Sequence, residues 1–286
     1  MSDVGNKGVS APSEHGGRAY GRDVDSKEFW EQEASRHKEH LGDSRQRYHR
    51  GRLDRARQML AASSLPGDAR LLDFGCGDGI LSLELARNGY RVLGLDIAES
   101  MIELARADGK DTDAVFEVGA AEQLASLEAA SLDGIVSLNV LAYLTDGEMA
   151  SFWQGCRHAL RPGGMLLVSH SNELFDMFAL NGGTAQFFQP NFTDGEPVDS
   201  LLAHPEHDHP TYNHRANPLS YPDELDRNGF RETDQRFFNY HPLPPRMLPE
   251  GDEGAITDPE RIDEIERWRQ IFQCSTYFSL SELRAD

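Results

Sequence analysis

The chain has 286 residues, with 28 Lys and Arg against 48 Asp and Glu, which gives a formal net charge of −20. This charge repels the phosphate backbone that dominates nucleic-acid affinity, and it disfavours docking on an anionic membrane surface. The length suits one α/β domain with a sizeable insertion better than two equal domains. We therefore expect a small-molecule substrate, and neither a nucleic acid nor a membrane as partner.

The cysteines bear on the compartment. Cys76, Cys156 and Cys274 are far apart and form neither a metal-type nor a redox pair. The first residues lack the apolar core of a signal sequence, and no run approaches the length of a membrane span. We expect a cytoplasmic protein.

The amino-terminal part divides into a tail and a helical segment. Residues 1–24 are rich in Gly, Ser and charge, which predicts a disordered tail. The segment 25–68 predicts two helices, Lys27 to Leu41 and Tyr48 to Ser63. The first contains Phe29 and Trp30, for which core packing is the commoner role of a helical aromatic side chain.

The most informative stretch runs from Leu71 to Asp96. It predicts a strand, a glycine-rich turn at residues 75–79, a helix, and a second strand closed by Asp96. The glycines allow positive φ and close approach of a ligand, and the helix amino terminus offers unpaired N–H groups. A carboxylate at the end of the second strand can accept hydrogen bonds from both hydroxyls of a ribose. The stretch therefore predicts a site for a nucleoside cofactor.

The glycine spacing narrows the choice of cofactor. A dinucleotide site requires a glycine where Ile80 stands, and here Gly79 comes one residue early. The pattern Asp73-x-Gly75-x-Gly77-x-Gly79, followed by Asp96, resembles the first motif of class I S-adenosylmethionine-dependent methyltransferases. The resemblance implies an α/β fold with a doubly wound, seven-stranded, mostly parallel sheet in residues 69–286, and lid helices in residues 25–68.

The resemblance also implies roles for individual residues. S-adenosylmethionine would be the cofactor, with Asp73 orienting its ammonium, Asp96 binding its ribose, and the glycine loop admitting its methionine end. The other expected cofactor contacts are Cys76, Ile97, Met101, Ala121, Glu122 and Asn139. Ala120 stands where the family usually has an aspartate that reaches the adenine, so that contact has to come from backbone, Glu122 or water.

Three further strands follow in the expected order. They are predicted at Ala114 to Val118, Leu132 to Asn139 and Met165 to Ser169, with a helix at Asp146 to Leu160 and a turn at Arg161 to Gly164. The fourth strand ends in Asn139-Val140-Leu141-Ala142. Methyltransferases that act on exocyclic amines of nucleic acids or on glutamine carry Asn/Asp-Pro-Pro-aromatic here, so the difference favours a small-molecule acceptor.

The carboxyl-terminal third is less regular. Residues 171–221 show no clear periodicity and leave from the expected ligand-binding edge of the sheet, so we interpret them as an acceptor-binding insertion. Beyond it the sequence predicts a helix, a strand, an acidic helix and a last strand: Pro222 to Asn228, Phe230 to Tyr240, Pro259 to Phe272 and Cys274 to Leu280. The acidic helix is a candidate lid element or homodimer contact.

Candidate catalytic residues follow from the chemistry. Methyl transfer is an in-line displacement that depends chiefly on alignment, and a hydroxyl acceptor also benefits from a base such as histidine. We select His170, Tyr143 and His204 as acceptor or base candidates. The histidine run that begins at His204 mixes imidazoles with carboxylates but fixes no ligand geometry, so no metal is predicted.

Several functions stay open at this point. The first expectation is methylation of a hydroxyl in a secondary metabolite or sugar-type compound. Methylation of an amine or a carbon of a small metabolite is the next alternative. A nicotinamide-dependent oxidoreductase and a non-catalytic module that binds S-adenosylmethionine are the rivals from other classes.

Overall fold

The computed structural model describes residues 27, 28, 30, 31, 43–179, 214–248 and 254–285. The predicted tail at residues 1–24, the aromatic Phe29 and the candidate base His204 lie outside the described residues. Of the first predicted helix, the four described residues are helical. Of the predicted insertion, residues 171–179 and 214–221 are described.

The structure alternates strands and helices. The strands are β1 (Arg70–Phe74), β2 (Arg91–Asp96), β3 (Val115–Val118), β4 (Leu132–Leu138), β5 (Leu160–Ser171), β6 (Phe230–Tyr240) and β7 (Cys274–Leu283). The helices are α1 (Asp43–Ala62), α2 (Ile80–Arg87), α3 (Glu99–Asp108), α4 (Asp146–Ala159), α5 (Phe175–Ala179), α6 (Tyr221–Arg227), α7 (Pro259–Asp263) and α8 (Arg267–Gln273). Short 3₁₀ turns lie at Ala121–Ser126, Leu141–Tyr143 and Pro245–Met247.

All seven strands form one sheet in the order β3-β2-β1-β4-β5-β7-β6. The first five pair in parallel, and β7 runs antiparallel between β5 and β6. The central strand β1 pairs through Leu72 with Leu93 on one side and with Ile135 on the other. Its last four residues are buried, as expected of a parallel strand covered on both faces. The predicted seven-stranded, mostly parallel sheet is confirmed.

The strand β5 begins earlier than the sequence predicts. The segment Arg161 to Gly164 was expected to be a turn ahead of the strand, but it lies within β5. It forms an irregularity in the ladder, because Leu132 pairs with Leu160 and Gly134 already pairs with Met165. Gly163, with a φ of 73°, allows the extra residues to loop out without ending the strand.

The expected long acidic helix is two short ones, α7 and α8. Arg55 on α1, which is almost fully buried, donates to both carboxylate oxygens of Asp263 at 2.8 Å and to the Pro259 carbonyl at 2.9 Å. These bonds tie the end of α7 to α1. The prediction of a single helix from Pro259 to Phe272 is therefore wrong, and α7 is an anchored part of the core.

No helix among the described residues is long and apolar enough to cross a membrane.

Candidate active site

The glycine loop joins β1 to α2 in a left-handed backbone. The φ angles are 75° at Gly75, 55° at Gly77 and 79° at Gly79, a region that residues with a Cβ rarely adopt. A Cβ on Gly75 would lie 2.1 Å from Val140, whereas a Cβ on Gly77 would meet nothing within 4 Å. Packing therefore demands glycine at residue 75, and open space lies in front of residue 77.

Asp96 lies beside this loop at the end of β2. Its Oδ2 accepts a hydrogen bond from Gly77 N at 2.8 Å, and its Oδ1 accepts one from Ala98 N at 2.9 Å. Burial raises the pKa of the Asp96 carboxyl, and these backbone donors oppose that shift. Each oxygen retains acceptor capacity, since a carboxylate offers about four lone-pair positions. Asp96 can therefore hold the loop and still bind hydroxyl groups.

Asp73 lies near the end of β1, just before the glycine loop, and it is buried. Ser82 Oγ donates to Asp73 Oδ2 at 2.6 Å. Burial raises the pKa of the Asp73 carboxyl to about 6, while Ser82 and the nearby Arg52 guanidinium act in the opposite direction. A cationic ligand group nearby would stabilise the charged form of the Asp73 carboxylate, which burial disfavours.

Arg52, whose charge acts on Asp73, is a candidate site residue that the sequence analysis missed. It lies on α1, whose amino-terminal half reaches the carboxyl edge of the sheet, where Tyr48 Oη lies 3.2 Å from Thr276 Oγ1. Arg52 Nε is buried without a hydrogen-bond partner, and Arg52 Nη2 lies 3.4 Å from His49 Nδ1. No sequence signal separates Arg52 from the other arginines of this helix.

Cys76 turns into the protein, away from the open space at Gly77. Its side chain is part of a small buried cluster formed by Leu83, Ile102, Ala105 and Phe116. Burial raises the pKa of the Cys76 thiol far above its ordinary range. The side chain fills an apolar gap, so a cofactor contact from Cys76 would come from its backbone.

The expected adenine contacts lie on the loops after β2 and β3. Met101 is buried, Ile97 is half-buried, and Gly119 N donates to the Asp96 carbonyl at 2.8 Å, which joins the two loops. Ala121 is buried, whereas Glu122 is exposed. Gln123 Oε1 accepts from Ala120 N at 2.7 Å, so it holds the backbone at the position where the family's aspartate is absent.

Asn139 lies where β4 ends, and its backbone is left-handed with a φ of 62°. Ser169 Oγ accepts a hydrogen bond from Asn139 N at 2.9 Å, which links the ends of β4 and β5. Non-glycine residues in this conformation are uncommon, and they concentrate at functional sites. Asparagine tolerates it better than most residues.

The described residues Trp30 and Glu31, which we call the strap, pack on this edge. Trp30 packs with buried Ala98 and Met101, and its ring meets the Tyr143 ring edge-on at 5.1 Å between centroids. Glu31 accepts hydrogen bonds from Glu99 N at 2.7 Å, from Ser100 N at 3.3 Å and from Ser100 Oγ at 2.5 Å. The strap therefore contacts the loops after β2 and after β4, which flank β1 in the sheet.

His170 lies in β5 and is enclosed by aromatic rings. The ring centroids of Tyr221 and Tyr277 lie 4.3 Å and 5.2 Å from that of His170. Burial lowers the pKa of His170 to about 3. An imidazole with that pKa is a poor general base at neutral pH, so the structure favours a neutral hydrogen-bonding role over the base role we expected.

The described part of the histidine run offers little for a metal. His214 Nε2 lies 3.4 Å from Asp146 Oδ1. Among the described residues no group of three or more His, Cys, Asp or Glu side chains is arranged to hold a metal ion.

Comparisons with known proteins agree with this geometry. Residues 71–164 match a family model described as a methyltransferase domain. A ubiquinone biosynthesis O-methyltransferase from Xylella fastidiosa (strain 9a5c) is 37% identical over 114 residues, which cover 39% of this chain and 46% of that protein. The chain thus spans about half the length of the curated relatives it matches.

Solved structures match over most of the chain. An S-adenosylmethionine-dependent methyltransferase described as putative, from Listeria monocytogenes, has a TM-score of 0.55 and 19% identity, covering 83% of this chain and 100% of that one. Magnesium protoporphyrin IX methyltransferase from Synechocystis, solved with bound SAH, has a TM-score of 0.54 and 17% identity, covering 91% and 95%. Residues 71–164 are therefore similar to a methyltransferase domain, and the sheet around them has the fold of the class I S-adenosylmethionine-dependent methyltransferases.

Proposed function

We propose that the chain is an S-adenosylmethionine-dependent methyltransferase that acts on a hydroxyl group of a small molecule. The observation that carries the proposal is the loop at Gly75 to Gly79 with Asp96 beside it. The loop offers a backbone without side chains, and the acid on the neighbouring strand lies within hydrogen-bond distance of Gly77 N.

The residues fit the proposed cofactor. The space in front of Gly77, which no Cβ fills, permits close approach to the backbone. Asp96 would accept the ribose hydroxyls, Asp73 would face the ammonium, and Arg52 would face the carboxylate of the methionine end. The cofactor supplies an electrophilic methyl group on a sulfonium. The chain's own residues supply binding, orientation and exclusion of water.

Two observations support a small-molecule acceptor with a hydroxyl group. The curated relatives are O-methyltransferases of ubiquinone biosynthesis, which favours a hydroxyl acceptor. The net charge of −20 disfavours nucleic acid. Since the structure favours a neutral His170, we infer that alignment contributes more to the reaction than a strong protein base.

We further propose that the strap closes over the cofactor. It contacts residues on both sides of the strand that carries the glycine loop, so a cofactor bound in the loop would lie beneath it. Lid helices ahead of the first strand are what the resemblance implies.

The test is methyl transfer with a labelled cofactor. The full chain is incubated with deuteromethyl-labelled S-adenosylmethionine and a panel of small phenols, sugars, amines and activated carbon acids, and products are analysed by mass spectrometry. We expect a mass gain from one labelled methyl on hydroxyl compounds. Labelling of amines or carbon alone would contradict the hydroxyl assignment, and cofactor binding without any transfer would favour a non-catalytic module.

A further inference from the structure

A cavity of about 250 Å³ lies between β5, the start of α4, residues 214–217 and α6. Its walls include Leu141, Met149, His170 and Tyr221. Leu141 follows Asn139 by two residues, and His170 follows Ser169, whose hydroxyl accepts from Asn139 N. The cavity therefore adjoins the ends of β4 and β5, at the same edge of the sheet as the proposed cofactor site.

Three buried polar atoms lack partners: two belong to cavity-lining residues, His170 and Tyr221, and the third belongs to Tyr277, which packs against their rings. His170 Nε2, Tyr221 Oη and Tyr277 Oη are buried without a hydrogen bond. Their residues are only 6%, 2% and 0% exposed. The three rings form one cluster, with Tyr221 and Tyr277 6.1 Å apart. Buried polar groups nearly always have partners, and a buried group without one destabilises the fold, so the two at the cavity, His170 Nε2 and Tyr221 Oη, indicate a missing partner there.

The wall formed by these rings is uncharged at neutral pH. Burial lowers the pKa of His170 and raises the pKa values of Tyr221 and Tyr277 well above their ordinary range. The rest of the lining carries charged side chains: the carboxylates of Asp146, Asp223 and Glu224, and the guanidinium groups of Arg215 and Arg227. Arg215 is already paired with Asp176, so an anionic ligand would meet more carboxylates than available cations, which disfavours it.

We propose that this cavity binds the acceptor, and that the acceptor carries a hydroxylated aromatic ring without an anionic group. The inference rests on the proposed function. Tyr221 and His170 hydrogen-bond the ring hydroxyls, Tyr277 supports them from behind, and Leu141 and Met149 contact the ring carbons. The volume lies just below the range of about 300–1,000 Å³ for ligand pockets, which suits a single ring.

The probe is catechol, titrated calorimetrically into the full chain saturated with S-adenosylhomocysteine. We expect catechol to bind, and 3,4-dihydroxybenzoate, which adds a carboxylate, to bind more weakly. Tyr221→Phe removes only a hydroxyl of the cavity wall and should weaken catechol binding about tenfold, the effect of one neutral hydrogen bond.

The matched control is Tyr240→Phe. Tyr240 is also buried, but its hydroxyl donates to Gln273 Oε1 at 3.1 Å and it does not line the cavity. This variant should bind catechol like the wild type. Met149→Trp, which narrows the cavity from α4, should abolish catechol binding and keeps the test informative if a tyrosine variant fails to fold.

The outcomes separate the two proposals. If S-adenosylhomocysteine binds but catechol does not, or if folded Tyr221→Phe binds catechol normally, the acceptor cavity is wrong. If catechol binds as expected but S-adenosylhomocysteine does not bind, the proposed function is wrong and the cavity is not.

Discussion

Asp73 differs from Asp96 in what surrounds its carboxylate. Asp96 accepts two backbone N–H groups, whereas Asp73 has the Ser82 hydroxyl and sits deeper. Burial holds the pKa of Asp73 at about 6, within the range in which enzymes are assayed. The protonation state of Asp73 should therefore influence the affinity of the site for a cationic ligand.

We predict that cofactor affinity falls as the pH drops through about 6, because protonated Asp73 cannot attract the ammonium group. Ser82→Ala removes a hydrogen bond that favours the charged carboxylate, so the midpoint should move to higher pH. The measurement is the dissociation constant of S-adenosylhomocysteine between pH 5 and pH 8. Ser151→Ala, at a half-buried serine on α4 that bonds the Gly147 carbonyl, is the control. An identical pH profile in Ser82→Ala would contradict this role.

The N-cap residue of α3 is Ala98, whose side chain cannot bond the first N–H groups of the helix. Glu31 of the strap supplies that cap through its carboxylate. In α4, by contrast, Thr145 and Glu148 form a capping box within the helix itself. A cap donated by a distant segment couples the order of α3 to the position of the strap.

We predict that Glu31→Gln loosens the strap and speeds release of the cofactor product, because a neutral amide bonds the helix amino terminus more weakly than a carboxylate. Stopped-flow dissociation of S-adenosylhomocysteine should be several-fold faster, and the midpoint of thermal unfolding should fall only slightly. Glu103→Gln, on the exposed face of α3, is the matched control. Unchanged release in Glu31→Gln would show that the strap does not cover the site.

The contact between the strap and α3 could not be predicted from the sequence. The pattern predicted a helix containing Trp30, but a capping partner 68 residues away leaves no local signal. The same holds for Arg52, one of several arginines on a helix with a weak apolar stripe. By contrast, the loop and Asp96 were predictable, because left-handed turns require glycine and the acid follows a recognisable strand.

At the scale of the whole molecule, the order of strands and helices could be predicted from the periodicity of apolar residues and from the turn residues. The interruption in β5 and the division of the acidic helix could not be predicted in this way. The sequence suggested a turn before β5, because Pro162, Gly163 and Gly164 usually end a strand. Pairing with β4 on both sides of this segment, at Leu160 and again at Met165, continues the strand across it. Likewise, the bonds from Arg55 to Asp263 and Pro259 fix α7 as a separate short helix.

Buried histidines should control the acid stability of the molecule. Burial lowers the pKa of His170 to about 3 and that of His241 to about 4, so the unfolded chain takes up these protons first. Stability should therefore fall as the pH drops from about 6.5 towards 4. The raised pKa of Asp73 has the opposite sign and offsets part of this loss between pH 6 and 4.

We predict that His170→Gln flattens this pH dependence, because glutamine cannot take up a proton in either state. The measurement is the free energy of unfolding from urea titrations at pH 7 and pH 5. The loss on acidification should shrink by on the order of 2 kcal/mol, which is about 1.36 kcal/mol per pH unit over the titrating interval. His158→Gln, at an exposed histidine bonded to the Leu127 carbonyl, should keep the wild-type dependence. An unchanged slope in His170→Gln would rule out His170 as a source of the effect.

The central claim is that the loop at Gly75 to Gly79 and Asp96 hold S-adenosylmethionine. Calorimetric titration of the full chain with S-adenosylhomocysteine and separately with NAD⁺ tests it most directly, with Asp96→Ala measured in parallel and Asp111→Ala, on the exposed turn after α3, as control. We predict binding of S-adenosylhomocysteine and none of NAD⁺, a loss of at least tenfold in affinity for Asp96→Ala, and no change for Asp111→Ala. Binding of NAD⁺ in place of S-adenosylhomocysteine, or equal affinity in Asp96→Ala, would contradict the claim.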